Sequence, residues 1–240
     1  MPQQTAALRK GRDLQMLEWQ NSRAAAKPIA LQQQSTDTAT EPAAIHSIAH
    51  VRRFRREQDI YSQEEKSDMW YRVVSGAARK YLMRADGRRQ IVDIHLPVDF
   101  FGFTSRKRHE FGVQAIADGT LVACYPRHRA EALADSDPAI AREIRRRSFE
   151  AIERLQEQTL IVGTMTAQEK VRSFLLYFCN RLADAGEDGV ALPISRYDIA
   201  DMLGISVETV CRAFTDLQEV GAISLHGPRR VRLTQRARRR

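Results

Sequence analysis

Between residues 195 and 219 the chain starts a helix, stops it and starts another, with no room for anything else between. Ser195-Arg-Tyr-Asp198 is a capping box: the serine hydroxyl takes the amide three residues on, and the carboxylate reaches back to the cap. Gly204 breaks the helix after Leu203, where a left-handed residue is wanted. Ser206 then caps a second helix running from Val207 to about Glu219. Ala200 is small where the two helices cross. Ile199, Leu203, Ile205, Val210, Phe214 and Leu217 have the spacing to fill the space between them. After Gly221 the segment AISLHGPRRVRL alternates and turns at Gly227-Pro228, which predicts a β-hairpin wing. Two helices joined by a tight glycine turn are a helix-turn-helix.

Such a unit lays its second helix in the major groove, with base contacts coming from its first turns. There Glu208 and Arg212 stand four residues apart on one outward face. A carboxylate can accept from cytosine N4, and a guanidinium can bond guanine O6 and N7 as a fork. The same spacing also makes an ordinary surface ion pair, worth about 0.3–0.5 kcal/mol. Within a winged helix-turn-helix we read it as base recognition, with Val207 and Cys211 on the same approach. Arg196, Ser206, Thr209, Arg229 and Arg230 are candidates for phosphate contacts, and so is Arg232; such contacts position without specifying sequence. Residues 236–240 form a basic tail, for which non-specific DNA affinity and solubility are both open roles.

The formal net charge of +8 and a pI near 9.7 fit an anionic partner, nucleic acid or a membrane surface. No apolar run approaches the ~18 residues that would span a bilayer. The N-terminus carries no apolar signal core, so a cytoplasmic protein is expected. Cys124, Cys179 and Cys211 are far apart and form neither a CxxC pair nor a disulfide framework.

Upstream the pattern is different. Residues 1–44 are rich in Ala, Gln, Ser and Thr, and LQQQSTDTATEP (31–42) has little to bury and is expected to be disordered. Leu8, Leu14, Leu17 and Trp19 could form a short helix without evident function. From residue 45 to 135 short apolar pieces alternate with turns: MWYRVVSG (69–76), AARKYLM (77–83), RQIVDIHL (89–96) and GTLVACYP (119–126). Ala85-Asp86-Gly87 is a hairpin signal, because Asp-Gly tolerates the positive φ of tight turns. Pro97 and Gly102 bound another loop. Short strands at regular spacing predict an antiparallel β-roll or barrel.

The period then changes. Ser136 or Asp137 can cap a helix with Pro138 in its first turn. Over residues 136–164 Ile140, Ile144, Ser148, Ile152, Leu155, Thr159 and Val162 recur at steps of three and four. This narrow seam, flanked by Arg142, Arg145, Arg146, Glu153 and Arg154, suits a second copy of the same helix, and we read it as a dimer interface. Thr166-Ala-Gln-Glu169 is another capping box, opening a helix through Leu182 with Val171, Phe174, Leu175 and Phe178 inward. Residues 165–235 thus make the DNA-binding domain, and the fold class is α+β.

A β-roll, a long dimer helix and a C-terminal winged helix-turn-helix with VETVCRAFTDLQEVGAI resemble the Crp/Fnr family of bacterial transcription regulators. DFFGFTSRKRHEFGVQAIADGTLVACYP (99–126) is similar to its Fnr–FixK branch. The resemblance covers about residues 45–233 and leaves head and tail unmatched. In that branch the recognition helix reads Val-Glu-Thr, an apolar residue, Ser, then Arg; here these are Val207, Glu208, Thr209, Val210, Cys211 and Arg212, with Cys211 standing where the pattern has serine. The resemblance implies a palindrome with TTGAT-like half-sites, Glu208 and Arg212 reading its G·C pair and position 211 close to a thymine or phosphate. It also implies a homodimeric regulator, an activator that contacts RNA polymerase, in circuits for low oxygen, nitrogen oxides or nitrogen fixation.

Family members differ in what they sense. Cyclic-nucleotide binders of this fold carry Gly-Glu and then an Arg-Ser pair for the phosphate; here Gly102 is followed by Phe103, and no Arg-Ser pair follows before Pro126. An iron–sulfur cluster needs about four thiolates, and three distant cysteines do not supply them. His46 and His50 are four apart without a third metal ligand, and His95, His109 and His128 are the candidate haem ligands. We therefore expect no cofactor and no metal, with a small-molecule- or haem-gated roll as the alternative. An enzyme of cupin type is not expected, because the histidines are scattered. Cys211 is either a steric stand-in for serine or a redox switch. A helix N-terminus and the adjacent Arg212 both favour a reactive thiolate, and its oxidation would set bulk and charge against phosphate.

Overall fold

The structure, a computed structural model, describes residues 43–164, 166–182, 189–227 and 229–234. The expectations for residues 1–42, Pro228 and the basic tail 236–240 lie outside them. A short helix α1 (Ala43–Ser47) leads into β1 (His50–Phe54), β2 (Asp59–Tyr61), β3 (Met69–Ser75), β4 (Ala78–Met83), β5 (Arg89–His95), β6 (Phe100–Phe101), β7 (Gly112–Ala115) and β8 (Thr120–Pro126). These strands form two four-stranded antiparallel sheets, ordered β1-β8-β3-β6 and β2-β7-β4-β5. The β4–β5 hairpin turns where Asp-Gly predicts it: Gly87 has φ +78°, and its amide donates to the Arg84 carbonyl at 2.9 Å. Between the sheets Tyr61, Tyr71, Val73, Phe101, Val113 and Val122 are buried.

Helix α2 (Arg127–Ser136) follows β8 directly, then α3 (Pro138–Thr164). The sequence predicts one helix opening near residue 136; the structure has two, parted at Asp137. The Asp137 backbone is extended, and its Oδ1 accepts the Ala139 amide at 2.8 Å. Asp137 is therefore the cap, and Ser136 belongs to the preceding helix. Only Ala130 of α2 is fully buried, so the helix lacks a periodic apolar face that a sequence reading could find.

α3 uses two faces. Ile140 is 0 % exposed and packs with Trp70, Phe100 and Tyr125 of its own roll, and Ile144 lies against the same cluster. Ile140 is thus a correction to the expected dimer seam: it is core, and has nothing left to offer a second chain. Further along, Ile152, Leu155 and Val162 are exposed, as are Phe149 at 57 % and Leu160, two residues absent from the expected seam. Thr159 is exposed and Ser148 half-buried; each hydroxyl donates to the carbonyl four residues back.

Helix α4 (Ala167–Arg181) opens on a complete capping box between Thr166 and Glu169. β9 (Val190–Ala191), α5 (Arg196–Leu203), α6 (Val207–Glu219), β10 (Ile223–Leu225) and β11 (Arg230–Leu233) complete the order, with the small sheet running β10-β11-β9. Its core is continuous with the roll. Ile91, Ile94 and Leu96 share one buried cluster with Phe174, Phe178, Ile199 and Leu203.

Candidate nucleic-acid interface

The Ser195 hydroxyl accepts the Asp198 amide at 3.2 Å, and Asp198 Oδ2 accepts the Ser195 amide at 2.9 Å, so α5 starts where the capping box requires. Gly204 ends it in the left-handed region at φ +64°, a conformation that costs a residue with a Cβ about 1–2 kcal/mol. The Ser206 hydroxyl then accepts the Thr209 amide at 3.2 Å and starts α6. Val210, Ala213, Phe214 and Leu217 turn inward. Glu208, Cys211 and Arg212 are exposed, and Val207 and Thr209 half-exposed.

The Glu208 carboxyl is held below its ordinary value by its own backbone amide, by the Ser206 hydroxyl and by Arg212 nearby. It is therefore an acceptor at neutral pH. The Thr209 hydroxyl lies 3.0 Å from that of Ser206. The free Cys211 thiol is exposed, whereas Cys124 and Cys179 are buried. Burial pushes the Cys124 thiol up to about 11, with Arg52 partly offsetting, so it is an inert apolar filler.

Arg196, a candidate phosphate contact, is half-exposed. Its guanidinium lies over the Phe214 ring, and burial lowers its pKa to about 10, with nearby Cys211 partly offsetting. Nη1 is buried and has no hydrogen-bond partner among the described residues. In the wing, Val231 is fully buried while Arg229, Arg230 and Arg232 are exposed; Arg232 Nε donates to the Ser224 hydroxyl at 3.2 Å.

The comparisons agree with this architecture. Residues 51–137 match the cyclic nucleotide-binding domain family and residues 169–238 the Crp-like helix-turn-helix domain family. The nitrogen fixation regulation protein FixK of Azorhizobium caulinodans is 38% identical over 207 residues, covering 85% of this chain and 83% of that protein. The chain belongs to the Crp/Fnr family. Its relatives include a second FixK, from Rhizobium meliloti, 35% identical over 79% of this chain and 85% of that one. The structure of FixK2 from Bradyrhizobium japonicum superposes with a TM-score of 0.74 at 37% identity, covering 80% of this chain and 95% of that chain. The protein is a Crp/Fnr-type transcription regulator with a DNA-binding helix-turn-helix.

A family match to cyclic nucleotide-binding domains raises that ligand, and the residues present do not fit it. His95 stacks on Phe101 at 4.5 Å and His109 on Tyr61 at 3.8 Å, so aromatic rings fill the roll. The cations of the loop after Gly102 face outward: Arg106 pairs with Glu110 at 2.7 Å, both exposed, and Arg108 donates to the Glu64 carbonyl. Of the candidate haem ligands, His95 and His109 are buried in the roll with Nε2 of each lacking a hydrogen-bond partner among the described residues, and His128 is exposed on α2. Among the described residues no group of three His, Cys, Asp or Glu side chains could hold a metal ion, and no helix is long and apolar enough to cross a membrane.

Proposed function

We propose that the protein is a cytoplasmic, homodimeric activator that binds a TTGAT-like palindrome without cyclic nucleotide, haem or iron–sulfur cluster, and contacts RNA polymerase once bound. The carrying observation is the solvent face of α6. At the start of the second helix of a capped helix-turn-helix it exposes a carboxylate, a thiol and a guanidinium within five residues. Glu208 and Arg212 read the G·C pair, while Val207 and Cys211 lie against the neighbouring base or phosphate. Ser206, Thr209, Arg229 and Arg230 hold phosphates. Arg196, half-exposed at the start of α5, is placed with them.

Dimerisation runs through the exposed stripe of α3. Ile152, Leu155, Thr159 and Val162 carry it with Phe149 and Leu160 beside them, and Ser148 and Ile144 at its edge. The names of the relatives support a place in nitrogen-fixation control, and the filled roll supports activity without an effector. Oxidation of Cys211 would set negative charge close to Arg196 and to the phosphate path, and so weaken binding.

Sedimentation equilibrium of the reduced protein with a duplex bearing both half-sites tests the assembly. Two chains per duplex are expected. One chain per duplex, or an unlimited ladder, would contradict it.

A further inference from the structure

The described molecule carries an arrangement that base recognition does not use. The guanidinium of Arg79, on β4, is almost wholly buried, and Nη1 donates to Asp198 Oδ1 on α5 at 2.8 Å. Nη2 of the same group meets the Glu57 carboxylate and the Gln114 side-chain carbonyl. Arg89, on β5, adds a second guanidinium, 3.2 Å from Asp198 Oδ1 and 3.0 Å from Asp201 Oδ2. Gln90 Nε2 donates to the Asp201 carbonyl at 2.6 Å. One hairpin of the roll thus grips both acids on one side of the first helix of the helix-turn-helix.

A second tie lies at the root of the same domain. Arg181, at the end of α4, pairs with Asp99, and its Nη1 donates to the Ile94 carbonyl at 3.3 Å. Asp99 also takes the Leu96 amide at 2.7 Å and lies 3.6 Å from Arg154 of α3. Roll, long helix and DNA-binding domain therefore share one carboxylate. Backbone strain accompanies both ties: Glu57 has φ +62° and Val98 φ +71°, the latter a marked outlier for a β-branched residue. Strain of this kind persists only where the surroundings over-determine the conformation.

We infer that the β4–β5 hairpin is a clamp that holds the helix-turn-helix in one fixed posture on the roll, with Arg79 and Arg89 as its positioning residues. Buried charges pair in one geometry, because any other leaves a desolvated guanidinium without an acceptor. Apolar packing alone permits sliding. The clamp engages only the inner side of α5, and in the clamped state Glu208, Cys211, Arg212 and the wing arginines stay exposed. The posture it holds is thus one in which the reading face is open. In a dimer, two clamped domains would keep a constant separation, which is what a palindrome of fixed spacing requires. This inference rests on the dimeric, palindrome-binding reading above.

The test uses full-length Arg79→Met, Arg89→Gln and the double variant, with circular dichroism and light scattering to confirm fold and assembly. Amide exchange over α5 and β5 reads the clamp without DNA, and the double variant should exchange there at least tenfold faster. Affinity is then measured for the palindrome and for versions with one base pair added or removed at its centre. Wild type should discriminate strongly between spacings, and the double variant should lose most of that ratio. A merely destabilised protein would bind all three duplexes less well in proportion. A folded double variant with unchanged exchange, with unchanged spacing discrimination, or with tighter binding to the palindrome overturns the clamp. Failure of wild type to bind the palindrome would instead sink the functional reading, and amide exchange alone then decides whether the clamp exists.

Discussion

Arg79 and Asp198 are 119 residues apart in the chain and meet at 2.8 Å in its interior. Burial alone would raise the Asp198 carboxyl. The amide and hydroxyl of Ser195, with Arg79 and Arg89, outweigh it and hold the group below its ordinary 3.8. A carboxylate depressed in the folded state contributes stability above its unfolded pKa, lost as pH falls through the folded value. Asp198→Asn should therefore destabilise the protein by about 3 kcal/mol at neutral pH, the low end for breaking a buried pair, since Arg79 keeps Glu57 and Gln114. The difference from wild type should shrink below pH 3.8. Urea unfolding at several pH values measures both; a gap that does not change with pH would show that Asp198 is not the group responsible.

Arg212→Ala should cost roughly 1–3 kcal/mol on the specific duplex and relax discrimination at the G·C pair. Competition binding with that base pair varied measures it. An equal loss on random DNA would reassign Arg212 to a phosphate.

Arg229→Ala should weaken specific and random DNA alike and lower the salt-dependence slope by about one unit. A titration series over salt concentration gives the slope directly. A changed base preference would contradict a phosphate role.

On the proposed dimer, the two faces of α3 separate dimerisation from folding. Ile152→Asp sets a charge on an exposed position where two helices would meet, and should leave a folded monomer by light scattering. Ile140→Asp, in the roll's core, should fail to fold, because a carboxylate there is buried without a partner. A folded dimer carrying Ile152→Asp would move the interface elsewhere.

Cys211→Ser should retain DNA binding and abolish any sensitivity to peroxide. A serine variant that is still inactivated by peroxide would clear Cys211 of a switching role.

Legibility followed the range of the interaction. The helix-turn-helix could be read because its punctuation is local: Ser195, Asp198, Gly204 and Ser206 each act within three or four residues of themselves. Strands β3, β4, β5 and β8 carry apolar runs long enough to show, whereas β2 and β6, of three and two residues, exist only through pairing with distant strands. Ile140 has the spacing of the seam, and only the fold reveals that Trp70 and Tyr125 already cover it. Arg196 carries no sequence sign that Phe214 will take its guanidinium. The ties from Arg79 and Arg89 to Asp198 had no local signal at all, since each partner alone looks like a surface charge.

The proposed function stands or falls on sequence-specific binding without an effector. It is met most directly by titrating purified, reduced, metal-free protein into a TTGAT…ATCAA duplex beside a scrambled duplex of equal length at fixed salt. Tight binding to the first is expected, at least a thousandfold tighter than to the second, in line with the ~10³–10⁷ ratios of specific DNA-binding proteins. Equal affinity for both duplexes would contradict it and return the roll to scrutiny as the seat of a required ligand.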